Sequence, residues 1–124
     1  MSNRSQLASW QALSDSAEKM KQIHLKDLFA NDSSRFEQFS AQIPGVLFDY
    51  SKQHIDKTVF EQLIALANEC DISSWREKMF IGEKINITED RAVLHTALRN
   101  RANSPVIVDG DNVTNDVNNE LAKM

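Results

Sequence analysis

Apolar residues recur at steps of three and four from the start of the chain: Leu7, Trp10, Leu13, Ala17 and Met20. The spacing predicts one face of an amphipathic helix beginning near Ser5. A shorter helix is expected over Leu25 to Phe29, followed by turn and cap chemistry at Asn31, Asp32 and Ser33. A third helix should carry Phe36 and Phe39 on its inner side. Pro44-Gly45 interrupts the pattern, and Val46 to Tyr50 reads as a strand because branched and aromatic side chains suit a pleated surface. Thr58 and Glu61 have capping-box spacing, ahead of a helix with Val59, Phe60, Leu63, Ile64, Ala67 and Cys70 on a broad apolar arc.

Ser73 and Ser74, with Glu77 as a second capping-box partner, predict another helix that stops at Gly82. Thr88 is expected to cap the next one, which runs to Arg101. Glu89 and Asp90 in its first turn, and Arg99 and Arg101 at its end, match the helix dipole. Ser104-Pro105 ends it. Val106 to Val108 predicts a second strand, Asp109-Gly110 a turn, and Val113, Val117, Leu121 and Met124 a last helix. The result is an α-rich α+β class, about six helices with two short strands, forming one segment over 1–124. The last helix has neither glycine cap nor polar tail, as expected of a piece of a longer chain.

Composition narrows the function. The chain has 124 residues, 41% hydrophobic and 26% charged, enough for a core and ordinary for a folded domain. A net charge of -4 argues against a nucleic-acid binder, which needs a concentrated basic face. Met1 to Gln6 lacks the apolar core of a leader, and no apolar run approaches the roughly 20 residues that span a bilayer. One cysteine, Cys70, makes no internal disulfide and fits a reducing, cytoplasmic setting.

The candidate chemistry concentrates in Glu83, Lys84, Glu89, Asp90, Arg91, His95, Arg99 and Arg101. On the expected helix, Arg91, His95 and Arg99 share one face, which would suit an anionic ligand such as a phosphate. The same spacing equally describes an ion-pair network fixing the loop Glu83 to Asn86, and that structural reading is favoured. His95 lacks a visible partner for base catalysis. Cys70 sits on an apolar arc without a neighbouring base. His24, His54 and His95 lack metal-ligand spacing, and Gly45, Gly82 and Gly110 stand singly, without a phosphate-binding glycine pattern. No catalytic, cofactor-binding or metal residue is assigned.

The stretch Gly82 to Arg101, G-E-K-I-N-x-T-E-D-R-A-V-L-H-x-A-L-R-N-R, resembles the N-terminal part of the glucose-6-phosphate isomerase family almost letter for letter. Val46 to Lys52 (V-L-F-D-Y-S-K), Pro105 to Gly110 (P-V-I-V-D-G) and the L-x-x-L-F-x-x-D-x-x-R-F-x-x-F run from Leu25 to Phe39 match in the same order. Val113 to Asn118 departs from the family's V-M-P-E-V-N and lacks its proline. The resemblance implies the N-terminal portion of a larger α/β sugar-isomerase enzyme that interconverts glucose 6-phosphate and fructose 6-phosphate through an enediol, without a metal or organic cofactor. It implies a dimeric assembly, with the rest of the enzyme chain and a second subunit as partners. The family's catalytic and phosphate motifs match no position here, so the segment by itself is expected to be inactive. Gly82, Thr88, Glu89, Asp90, Arg91, His95 and Arg99 are then residues of a structural joint. The rival reading is a stand-alone helical interaction module. Both readings lead to the expectation that the isolated chain self-associates through uncovered apolar faces, most readily through its last helix.

Overall fold

A computed structural model describes residues 4–124. Met1, Ser2 and Asn3, part of the stretch that lacks the apolar core of a leader, lie outside the described residues. The chain forms two compact units, Met1–Cys70 and Asp71–Met124. The α-rich α+β class holds, with six α-helices and two small antiparallel strand pairs among the described residues. No described helix is long and apolar enough to cross a membrane.

In the first unit a short 3-10 turn, Arg4–Gln6, precedes helix α1, Ala8–Met20. Its buried positions are Ser16 and Met20, while Ala17 is exposed and Trp10 is 43% exposed. The face that packs on helix α4, Lys57–Glu69, is therefore rotated from the expected stripe. Ser9 turns toward α4 and donates both its backbone N–H and its hydroxyl to the Glu69 carboxylate. A small polar residue is tolerated at this seam because its partner is supplied across it.

Helix α2, Leu25–Ala30, is capped by the imidazole of His24, whose Nδ1 accepts the Lys26 N–H at 3.1 Å. The short helix α3, Arg35–Gln38, follows an Asp32 carboxylate that accepts the Ser34 N–H at 3.0 Å. Phe39 is buried at its end, but Phe36 points outward at 45% exposure, so only one of the two expected inner aromatics is inside. Phe39 lies just past the helix, at φ -114 and ψ 40, so its ring does not share a helical face with Phe36.

Strand β1, Ser40–Ile43, pairs antiparallel with β2, Val46–Asp49. The expected strand thus has a partner that the sequence pattern left unassigned. Period-two alternation puts Ala41, Ile43, Val46 and Phe48 on one face. That face leads into an aromatic cluster, with Tyr50 stacked on Phe60 at 6.0 Å and Phe39 edge-on to both.

Arg35 is 2% exposed and ties this unit together. Its Nε donates to the Ser51 carbonyl, and Nη2 to those of Gln53 and Ile55, each at 2.8 Å. Its guanidinium lies 4.7 Å from the Phe39 ring centre. Backbone carbonyls and an aromatic face here replace the water that the charge gives up. The tied loop ends at Asp56, whose carboxylate accepts the Val59 N–H at 2.8 Å. Asp56, not Thr58, is therefore the cap of α4, and the Thr58–Glu61 capping box does not form.

The second unit opens with helix α5, Ile72–Ile81. It begins at Asp71, a left-handed residue, so Ser73 and Ser74 lie inside the helix and the box with Glu77 is not made. Gly82 ends it in the left-handed region at φ +84, as expected. Strand β3, Ile107–Val108, pairs with β4, Asp111–Asn112, across the turn Asp109-Gly110. Both turn residues have positive φ, the requirement of a tight two-residue hairpin. Helix α6, Thr114–Ala122, closes the unit. The Thr114 hydroxyl accepts the Val106 N–H at 3.1 Å and donates to the Ser104 carbonyl, joining the helix start to the strand approach.

Candidate functional site

The long helix expected after Thr88 does not form. Thr88 donates its hydroxyl to Asn86 Oδ1 at 2.9 Å instead of accepting a backbone N–H. Asn86 exchanges backbone hydrogen bonds with Arg91 at 3.0 and 3.1 Å, closing the loop on itself. Asp90 inside that loop has φ +52. Such local side-chain and turn bonds compete with helical ones. Residues 92–94 are irregular, and only a 3-10 turn, Ala97–Arg99, remains.

The sequence-nominated residues consequently divide into two places. Gly82, Thr88, Glu89, Asp90 and the backbone of Arg91 belong to the closed loop or its approach. The Asn86 side-chain amide donates to Glu89 at 3.1 Å. His95 and Arg99 lie apart from the loop, on the wall of a cleft. The single helical face shared by Arg91, His95 and Arg99 is absent because the backbone between them is not helical.

Gly82 is the tightest point of the loop's approach. A Cβ at this position would sit 2.7 Å from the Ile107 carbonyl and 3.1 Å from Val106 Cγ1. Both the left-handed backbone and the close approach to the strand require glycine.

Lys84, part of the charged candidate stretch but not of the expected joint, makes two ion pairs. Its Nζ reaches Asp109 at 2.9 Å and Asp90 at 3.3 Å. The lysine thereby joins the closed loop to the hairpin turn. Its pKa is raised, first by the hydrogen bond to Asp109 and then by that to Asp90. The signal in the sequence was a lysine two residues past the glycine stop, with Glu83 before it and Glu89 and Asp90 after it. Spacing alone does not show which acid it meets.

The cleft lies between the end of α5 and the segment 95–106, with a volume of about 710 Å³. Met79, Phe80, Pro105 and Val106 give it an apolar lining; His95, Thr96, Arg99, Asn100 and Ser104 give the polar groups. Arg99 Nη1 donates to the His95 carbonyl at 3.0 Å. Asn100 Nδ2 donates to the carbonyl and hydroxyl of Ser104 at 2.8 and 3.0 Å, pinning the wall. Cys70 is half-buried. No group of three or more metal-ligating side chains is found among the described residues.

The stretches Gly82 to Arg101 and Pro105 to Gly110, by whose residues the sequence resembles a sugar isomerase, thus form a glycine-terminated helix end, a closed charged loop and a hairpin. The phosphoglucose isomerase family matches residues 49–124, well over half of the chain. The chain is 78% identical over all 124 residues to a glucose-6-phosphate isomerase of Pseudoalteromonas translucida, and 52% identical over the same span to glucose-6-phosphate isomerase 1 of Colwellia psychrerythraea. The chain belongs to the phosphoglucose isomerase family. It spans 23% of the length of each of these two relatives.

Proposed function

We propose that this chain is the N-terminal part of a glucose-6-phosphate isomerase, whose whole chain interconverts glucose 6-phosphate and fructose 6-phosphate. The carrying observation is 78% identity across the entire chain to a relative of that name, of which it spans only 23%. In this reading the base, the ring-opening groups and the phosphate site reside in the remaining three quarters. The present residues contribute structure: Gly82, Thr88, Glu89, Asp90 and the backbone of Arg91 form a closed joint on which the rest of the enzyme is built, while His95 and Arg99 stand apart from it on the cleft wall. The rest of the chain and a second subunit are its partners, and the setting is cytoplasmic glycolysis and gluconeogenesis. No observation favours the stand-alone module.

The test has two arms. Purified 1–124 is assayed in a coupled reaction for glucose 6-phosphate turnover, and no turnover is expected; substantial turnover would sink the reading. In the full-length enzyme, Gly82→Ala, which puts a Cβ 2.7 Å from the Ile107 carbonyl at the approach to the loop, is expected to lower the thermal midpoint while leaving KM unchanged. Unchanged stability with a raised KM would transfer this region from scaffold to ligand binding.

A further inference from the structure

We propose that the cleft beside His95 and Arg99 is a binding site for a compact organic anion, a carboxylate or phosphate ester carried on a ring-sized body. Its volume of about 710 Å³ falls within the roughly 300–1,000 Å³ typical of small-molecule sites. None of the described residues lining it is acidic. Yet the whole chain has 18 acidic residues against 14 lysines and arginines. A carboxylate-free cleft with Arg99 and His95 among its lining residues, in a net-negative chain, is a local preference for anions.

Arg99 is held without being neutralised. One nitrogen donates to the His95 carbonyl, and Arg99 forms no ion pair among the described residues. The guanidinium keeps most of its N–H donors for a ligand, in a planar fork that matches the two oxygens of a carboxylate or a phosphate equally well. The Asn100–Ser104 hydrogen bonds keep the neighbouring backbone in place. Met79, Phe80 and Val106 decide the other end of the ligand. A bare hydrated ion gains nothing against these side chains, whereas an apolar ring sheds water there.

The 124-residue chain, labelled with nitrogen-15, is titrated with phenyl phosphate and benzoate, and with inorganic phosphate and phenol as half-ligands. Saturable shifts confined to residues 79–80, 95–100 and 104–106 are expected with one or both organic anions, at affinities at least tenfold above those of either half-ligand. The outcome for phenyl phosphate against benzoate tells the two oxyanion sources apart. Arg99→Gln should weaken binding at least tenfold. Arg76→Gln, a charge change on α5 outside the cleft, should leave it within twofold. Equal losses in the two variants, no saturation, or shifts centred elsewhere would overturn the proposal. If Arg99→Gln loses signal dispersion through unfolding, shift mapping on the unaltered chain and His95→Gln decide: a His95→Gln affinity equal to that of the unaltered chain, together with unlocalised shifts, also overturns it.

Discussion

Two single residues set the local geometry of their units. Gly82 is required twice over, by φ +84 and by the 2.7 Å approach of an added Cβ to the Ile107 carbonyl. Gly82→Ala is therefore expected to destabilise the second unit by about 2 kcal/mol or more, since strained backbone of this kind costs of order 1–3 kcal/mol before any steric clash. Denaturant unfolding followed by a probe in residues 71–124 measures this. Arg35 is the counterpart in the first unit, with its charge buried against three carbonyls and an aromatic face. Arg35→Met keeps much of the stem but orphans those carbonyls. A loss of about 3 kcal/mol is expected, because hydrogen bonds to charged groups contribute roughly 1.5–3 kcal/mol and unpaired buried acceptors add a penalty. A loss below about 1 kcal/mol in chemical denaturation would show that the loop 51–56 holds itself.

At the scale of elements, caps and ion pairs differ from what spacing suggested. Asp56 caps α4 with a 2.8 Å bond to the Val59 N–H, while Thr58 lies within the helix. Asp56→Ala should cost about 1 kcal/mol, the usual worth of an N-cap, and Thr58→Ala no more than a few tenths. The reverse order in thermal melts would restore the capping box. The Lys84 junction carries a pH signature. Its pKa is raised in the folded chain by Asp109 and Asp90, so the folded state holds the proton more tightly than the unfolded state. Its stabilisation is complete below the unfolded value of about 10.4 and is lost as pH rises through the higher folded value. The stability difference between the unaltered chain and Lys84→Met should therefore shrink only above about pH 10.4. A difference that changes instead between pH 5 and 8 would contradict this assignment.

At the scale of the whole molecule, large apolar side chains are left facing solvent. On the β1–β2 hairpin, Ile43 and Phe48 are each 64% exposed and Val46 is 54% exposed, all on one face. On α4, Leu63 and Ile64 are 42% and 49% exposed. Exposed apolar faces of this kind are usually covered by another chain or domain. Buried area is worth roughly 25 cal/mol per Å² before the costs of association. The isolated chain is expected to self-associate at tens of micromolar. Light scattering that returns the monomer mass across that range would refute this, and Phe48→Ser should shift the balance toward monomer.

Local interactions were legible in the residues themselves. Helical spacing gave α1, α2 and α4 to α6 within a few positions. Gly82 announced a helix end, Asp109-Gly110 a hairpin turn, and the motif text gave the family. These depend on backbone preferences and neighbours close in the chain, which a sequence displays directly. Contacts between distant residues were not legible. Ser9 meeting Glu69, Arg35 collecting the carbonyls of residues 51–55, and Lys84 choosing Asp109 span separations at which no periodicity operates. The segment after Thr88 shows the same division. Its helical pattern is sound, but Asn86, Thr88 and Arg91 close a loop whose hydrogen bonds compete for the groups a helix would use. The sequence by itself determined the family, most of the helices and the helix stop at Gly82. Only the tertiary structure decided which faces are buried, and that His95 and Arg99 line a cleft, because both depend on which distant surfaces exclude water together.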